Sequence, residues 1–285
     1  MEKSREKIVA LELDFTVDQI CRVYTHTRQA YYQKKKRHIT LQMKEQLLLK
    51  EIRQIRQKQP RIGGRKLYKE LKLFMISIGL HLGRDRFFDL LRAHGLLIER
   101  RRRYVHTTDS RHHLRTYRNL IKDMELTAPN QLYVADITYI RTLQGFCYLS
   151  LLTDAYSRKI VGYNVSRSLS IEGSLAALKM ALRQEGGLND LIHHSDRGVQ
   201  YCSYDYTKLL KNNNISISMT EQNHVYENAL AERVNGILKD EFLLGETLQS
   251  FVVAQKMVRQ AIYIYNNERP HMSIDYDKPA RRHAA

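Results

Sequence analysis

The spacing of apolar residues changes period at Gln131, and no single layer of structure can accommodate both halves. Ahead of that point they recur at helical spacing: Leu47, Leu48, Ile52 and Ile55 up to Pro60, then Leu67, Leu71 and Phe74, then Phe87, Leu90 and Leu91 before Gly95. Beyond it they alternate, over 132–140, 145–152 and 159–165, with turn residues at Gln144-Gly145 and Ser157-Arg158. A 3.6-residue period lays one stripe on a helix, whereas a period of two faces one side of a strand, so the chain is read as a helical part followed by an α/β part.

The order of elements narrows the second part. Three hairpin-linked strands lead into an expected helix at 171–183, a strand at 191–194, a helix at 204–212 and a strand at 215–219. That is an α/β mixed sheet of ribonuclease H-like order. In the first part, residues 15–32 read as two short helices with Thr16 and Thr27 as N-caps, followed at once by Lys34, Lys35, Lys36 and Arg37, which is the outline of a helix-turn-helix with a basic exit. The divisions expected are a helix-turn-helix-like segment at 1–40, a helical DNA-binding domain at 41–100, a basic linker at 101–125 that orders on nucleic acid, and a core at 126–285 with a C-terminal helical extension.

Charge divides along the same line. Of the formal +17, residues 1–130 carry 30 Lys/Arg against 14 Asp/Glu, net +16, and the remainder 17 against 16, net +1. A basic half releases the counterions condensed on a polyanion, so this half is expected to grip nucleic acid in a salt-sensitive manner. The three cysteines, Cys21, Cys147 and Cys202, are scattered and odd in number, which fits a reducing compartment and gives no metal-binding pair. No run reaches the ~18 apolar residues of a membrane helix, so no membrane association is expected.

Three acids stand out in the second part. Asp136 lies in the middle of a strand, Asp196 follows the short apolar run at 191–192, and Glu232 opens a helical pattern 35 residues further on. Two strand positions and a helix can converge, and three converging carboxylates suit hard divalent cations held astride a phosphodiester. Lys239 stands seven residues beyond Glu232, almost two helical turns, and so projects from the same face. Arg197-Gly198 offers a clamp for a phosphate, since glycine permits close backbone approach. Other polar residues read as structural: Asp154 as a cap in a turn, His193 and His194 as one packed ring and one hydrogen-bonded to its loop, His271 as a turn packed under the core.

These residues, together with 136–140, 152–158, 194–201, 228–233, Leu238-Lys239 and 265–271, resemble the transposases of the IS3-family bacterial insertion sequences, whose catalytic core is that of retroviral integrases. The resemblance covers most of the chain, and Gly63-Gly64-Arg65 and 92–96 carry it into the helical half. It implies that Asp136, Asp196 and Glu232 are the DDE triad, binding Mg2+ (or Mn2+) as two ions once DNA is present. It also makes Lys239, Arg197, Arg65, Lys66, Arg101, Arg102 and Arg103 the expected DNA contacts. The implied reaction is cleavage of the element's ends followed by 3′-hydroxyl strand transfer, in a bacterial, cytoplasmic, nucleoid-associated setting. Double-stranded DNA carrying terminal inverted repeats, target DNA, further copies of the chain and an upstream-frame helix-turn-helix protein are the implied partners. Three positions depart from the family pattern: Glu227 where aspartate is commoner, Arg233 where serine is commoner, and Tyr133 where tryptophan is frequent. A silent DNA-binding repressor and a nuclease without joining activity are the rival readings; retention of all three acids opposes the first, and the blocks around Asp196 and Glu232 the second. The zinc module of retroviral integrases has no counterpart in this half, where Cys21 is the lone cysteine.

Overall fold

A computed structural model describes residues 16–99, 113–122, 124–184, 190–221 and 228–285. In chain order the helices are α1 (Val17–Val23), α2 (Arg28–Lys58), α3 (Gly64–Glu70), α4 (Lys72–Ser77) and α5 (Arg84–Ala93), then α6 (Ile171–Gln184), α7 (Val199–Cys202), α8 (Tyr204–Asn212), α9 (Ala229–Glu241), α10 (Phe251–Asn267) and α11 (Pro279–Ala284). The strands are β1 (Leu132–Thr142), β2 (Gly145–Asp154), β3 (Ile160–Ser166), β4 (Ile192–Ser195) and β5 (Ser216–Met219). None of the described helices is long and apolar enough to cross a membrane.

The chain forms two compact units, residues 1–54 with 71–87, and residues 55–70 with 88–285. In the first, Thr16 caps α1 through a capping box: its hydroxyl accepts from the Gln19 amide at 3.3 Å while its own amide donates to Gln19 Oε1 at 2.8 Å. Thr27 likewise accepts from the Ala30 amide at 3.1 Å and starts α2. The expected boundary at 40/41 falls inside that helix, which runs unbroken for 31 residues. The stretch 34–44 holds no glycine or proline, and Thr40 bonds back to the Lys36 carbonyl at 3.0 Å, so nothing in it ends a helix. The helical spacing of Leu67, Leu71 and Phe74 is carried by two helices, divided at Leu71, whose φ is −87° and ψ 0°. Ile20, Cys21, Tyr31, Leu48, Leu49, Leu71 and Met75 are buried in this unit.

The second unit is built on a five-stranded sheet ordered β3-β2-β1-β4-β5. β1 and β2 pair antiparallel from Tyr133 opposite Asp154 to Thr142 opposite Gly145, leaving a two-residue turn closed by Gly145 at φ +111°. β4 runs parallel to β1 and β5 parallel to β4. The sheet is therefore an antiparallel meander joined to a parallel half. Strand alternation distributes side chains between two cores. Ile140, Leu149 and Leu151 meet Val234, Ile237, Val258, Ile262 and Tyr265 of α9 and α10 on one face. Tyr133, Ala135 and Leu152 meet Ala177, Leu178, Tyr206 and Leu210 of α6 and α8 on the other. Each such aliphatic or aromatic side chain contributes about 1.5–3 kcal/mol on burial, so the sheet is fixed from both sides.

The basic linker expected at 101–125 is only in part what its composition suggests. Its residues 101–112, including Arg101, Arg102 and Arg103, lie outside the described residues. Residues 113–122 lie along the core: Tyr117 and Ile121 pack on its apolar clusters, the Leu120 amide donates to Ser218 Oγ at 2.9 Å, and the Arg118 carbonyl accepts from Met219 at 3.4 Å. The apolar residues interspersed among the charges, Tyr117 and Ile121, give that half a surface to bury.

Gly162 of β3 lies directly beneath α6, where an added Cβ would run into the Ala177 carbonyl oxygen and press on Ala181. Substitution Gly162→Ala is expected to lower stability by about 1–3 kcal/mol, the range for overpacking a filled core. Urea unfolding curves give the comparison, and an unchanged midpoint would show that α6 is not held this close to β3.

Candidate active site

β1 and β4 are paired only through Leu132, Tyr133 and Val134. On that edge the next backbone partner described is Leu248, which bonds Arg141 and Leu143 at 2.9 Å. Between them lies a stretch of β1 with no described strand beside it, and α9 is tied to that stretch. Asn228 ahead of the helix donates to the Ala135 carbonyl at 3.3 Å, and Asn235 Nδ2 donates to Asp136 Oδ2 at 2.7 Å. At 100° per residue, positions 228, 232, 235 and 239 fall within about 60° of arc. One polar stripe of α9 therefore carries Asn228, Glu232, Asn235 and Lys239, while Ala231, Val234, Ile237 and Leu238 are buried beside it.

Asp136 is the most perturbed of the acids. Burial drives its carboxyl upward, the charge of Asp196 drives it further and Glu232 adds to this. Hydrogen bonds from Asn235 and from the Ile137 amide at 2.9 Å pull the other way, and the outcome is about 7. Asp196 leaves the end of β4 and accepts the Gly198 amide at 3.0 Å; a side chain at 198 would crowd that same oxygen, which explains the glycine. Glu232 stands exposed in the first turn of α9. Lys239 is half-buried: burial pushes its ammonium down, and the Asp136 charge, with Asp240, pushes it back up. Three acids and a lysine from four places in the sequence thus share one electrostatic neighbourhood.

The donor set is oxygen-only and anionic, the chemistry that a hard divalent cation takes. Relief of the repulsion that raises Asp136 is what a bound cation provides. Among the described residues no three His, Cys, Asp or Glu side chains close on one ion as they stand. The fit rests on the charge coupling of Asp136 with Asp196 and Glu232.

Several sequence readings need revision or completion. Lys66, expected on DNA, is buried, and its ammonium lies 2.5 Å from Glu241 at the C-terminal end of α9. Arg269 binds the same carboxylate twice, at 2.8 and 2.9 Å. The lysine is consumed in a buried ion cluster and offers nothing to a phosphate. Burial beside the Arg269 guanidinium holds Lys66 down at about 8; Glu241, which burial alone would raise, is held at about 2 by the bonds and charge of Arg269 and then of Lys66. One carboxylate serves two cations, and Arg269 with two bonds takes the larger share. Arg197 is half-buried with Nε on the Thr220 carbonyl at 2.7 Å, which anchors it to the end of β5. Arg65 is exposed on α3.

The residues set aside occupy structural places. Asp154 accepts from Ser157 N and Oγ at 2.6 Å and from the Asn130 amide at 2.8 Å, closing the turn after β2. His193 meets the Tyr206 hydroxyl at 2.9 Å and burial holds it at about 3; His194 meets Ser218 Oγ at 2.8 Å. Both rings thus hydrogen-bond inside the core. His271 packs against Tyr265 and meets Ser273 Oγ at 3.0 Å. Tyr133 fills the aromatic position, fully buried, with its hydroxyl on Asn130 at 2.6 Å. Glu227 lies outside the described residues. Asn228 and Asn235 escaped the sequence reading, although their place on the Glu232–Lys239 stripe marks them.

Comparison with known proteins gives this geometry its class. The sequence matches the family described as "Integrase core domain" over residues 127–224, and a second family of the same description over 213–279. That family is one of DDE polynucleotidyl transferases. The chain is 35% identical to the 31 kDa protein of insertion element IS600 of Shigella sonnei, across 92% of its own length and 96% of that protein's. It is 30% identical to the IS629 transposase of the same organism, over 92% and 87% of the two chains, and to transposase InsF of IS3A from Escherichia coli K12, over 96% and 91%. The chain belongs to the IS3-family insertion-sequence transposases. Among solved structures, the HTLV-2 integrase catalytic core in complex with magnesium is 17% identical with a TM-score of 0.44, covering 58% of this chain and 99% of that one. A simian T-cell lymphotropic virus intasome in complex with a PP2A regulatory subunit is similar over 78% and 75% of the two chains, 17% identical, with a TM-score of 0.48.

Asn235→Ala removes a donor that favours the ionised form of Asp136, so the ascending limb of the pH profile for DNA cleavage is expected to move to higher pH. Turnover should fall about tenfold or more, the effect of losing a hydrogen bond to a charged group; a pH profile superimposable on the wild type takes Asn235 out of the site. For Glu241 the sign follows from its depressed value. Its contribution to stability is complete above its ordinary 4.5 and is lost as pH falls through about 2. In urea unfolding, Glu241→Gln is expected to be less stable than wild type at neutral pH, with the gap narrowing across that window.

Proposed function

We propose that Asp136, Asp196 and Glu232 hold the divalent cations with which this transposase cuts a phosphodiester at the end of its insertion sequence and joins the freed strand to a second one. The observation that carries the reading is the state of Asp136, whose carboxyl is raised by burial and then by the charges of Asp196 and Glu232. Two magnesium or manganese ions bound there with DNA would activate the attacking oxygen and neutralise the leaving 3′-oxygen. In cleavage, water oxygen bonds to phosphorus as the bond to the 3′-oxygen breaks, leaving a 3′-hydroxyl and a 5′-phosphate. In joining, that hydroxyl attacks a second phosphodiester and expels another 3′-oxygen. Neither step needs a covalent intermediate on the protein.

The chain's own residues position and exclude. Asn235 holds one Asp136 oxygen and orients the other, and Asn228 keeps the start of α9 against β1, which sets Glu232 opposite the strand. Lys239, on the same stripe, faces a phosphate next to the one being cut. Arg65 contributes to the outer grip, with the basic run at 101–103 and with Arg197, which is anchored by Nε. Terminal inverted repeats and target DNA are the substrates, two ends are brought together by more than one copy of the chain, and an upstream-frame helix-turn-helix protein assists. Acting on DNA, the protein works at the bacterial nucleoid in the cytoplasm.

Asp136→Asn, Asp196→Asn and Glu232→Gln keep shape while removing the anionic oxygen, so each is expected to reduce magnesium-dependent cleavage and joining of an end-containing duplex to background. DNA binding, measured by fluorescence anisotropy, should be retained. Full activity in any one of the three would exclude that residue from the site, and nicking without joined products would point to a nuclease.

A further inference from the structure

Near the acids, where the edge of β1 beyond its pairing with β4 has no described strand, two rings stand between two cations. Lys239 Nζ stands 4.3 Å from the centre of the Tyr139 ring. Tyr139 meets Phe146 edge-on, centroids 5.4 Å apart at 86°. The Arg141 guanidinium lies 5.5 Å from the Phe146 ring. The register explains the grouping, since Tyr139 is opposite Tyr148 and Arg141 is opposite Phe146, which puts all four on one face of the hairpin. Tyr139 is 36% exposed and Phe146 49%, although their chain neighbours Ile140 and Cys147, on the other face, are buried. Two large rings at the surface, each with a cation at its face or rim, are poorly explained by packing.

We propose that Tyr139 and Phe146, flanked by Lys239 and Arg141, form a stacking strip for unpaired nucleotides of the DNA strand next to the phosphodiester on which the acids act. This rests on the reading of the acids given above. Bases stack on the rings with little regard to sequence, while the two cations take the phosphates between them, the combination that single-stranded nucleic acid recognises. Tyr139 lies three residues beyond Asp136 and on the other face of β1, and the link between them is Lys239, whose ammonium feels the Asp136 charge and stands at the Tyr139 ring, so a strand that leaves the acids past Lys239 meets the ring there. The class of ligand is a frayed or tailed DNA end; an intact duplex keeps its bases stacked on one another. Tyr139 also restricts where the Lys239 ammonium sits, which makes it a positioning residue as well as a platform.

The test uses the full chain in EDTA, with no cation and no chemistry, and two probes: a fluorescent oligothymidylate, and an end-containing duplex whose first unpaired base beside the cleavage position is 2-aminopurine. Wild type is expected to quench the 2-aminopurine. Tyr139→Ala and Phe146→Ala should abolish or halve that quenching and weaken oligothymidylate binding about tenfold, with Tyr139→Phe close to wild type and blunt-duplex binding little changed. Absence of quenching by the wild type, or alanine variants that bind oligothymidylate as wild type does, overturns the strip. Thermal unfolding checks the variants, and should Tyr139→Ala unfold, the surface change Phe146→Ala and the wild-type signal decide. Because this assay contains no cation and reads no cleavage or joining, failure of the acid assignment and failure of the strip are read separately.

Discussion

The hydrogen bond from Asn235 to Asp136 is the contact on which the arrangement of the site depends. It joins a helix to the middle of a strand where one edge of that strand has no described strand beside it, and it does so with a group that is neutral. A cationic partner would give a tight ion pair and a carboxylate already satisfied; an apolar one would leave a buried acid with its desolvation uncompensated. An amide supports the ionised form and leaves the negative charge in place for a ligand. Asn228 repeats the device two turns earlier on backbone, so the register of α9 along β1 is set at two points. Apolar residues on the flanks, Val234, Ile237 and Leu238, supply the burial that keeps the helix there.

The opposite end of α9 is held by charge. Glu241, Arg269 and Lys66 form a buried cluster in which removal of any one member strands another, the situation in which a buried ion pair matters most. The helix that carries Glu232 and Lys239 is therefore pinned by amides at the site and by an ionic knot away from it. The knot also draws in residues of the segment 55–70: Arg61 donates its amide to the Glu241 carbonyl at 3.2 Å, and Lys278 reaches Glu70 at 2.7 Å. Stability is concentrated there, whereas at Asp136 like charges oppose it. Perturbed acids gathered beside a helix-strand seam are a cost in stability that sites of this kind accept.

How much of this could be read from the sequence depended on distance along the chain. The five strands and the helices α6 and α8 were legible to within a few residues because each is decided by its own periodicity, and the Glu232–Lys239 pair because seven residues on a helix is a local relation. Lys66 was misread for the opposite reason. In Arg65-Lys66-Leu67 it looks like any solvated basic residue, and its partners, 175 and 203 positions away, leave no local trace. The boundary at residue 40 was misplaced because a run of lysines resembles an exit, while lysines are good helix formers and continue α2 without interruption. Asn235 was within reach: its place on the stripe was calculable, but asparagine in a helix carries no signal of its own until the strand it meets is known.

That last point extends to the acids. Asp136 sits mid-strand, where a carboxylate is ordinarily buried at a loss, and it is tolerable because β4 stops pairing with β1 at Val134. The meander and the parallel half of the sheet meet at β1, and ligands in α/β sheets collect where such a change of direction leaves a crevice beside a strand. Asp196 arrives there because it is the first residue after β4, and Glu232 because α9 must cover the edge that β4 abandons. The short pairing of β4 is thus the topological cause of the site. It opens the edge, leaves Tyr139 exposed on one face of the strand with Asp136 under α9 on the other, and obliges that helix to bring its polar stripe across the gap. A longer β4 would bury the same acids in a continuous ladder, and no choice of side chains on α9 could recover them.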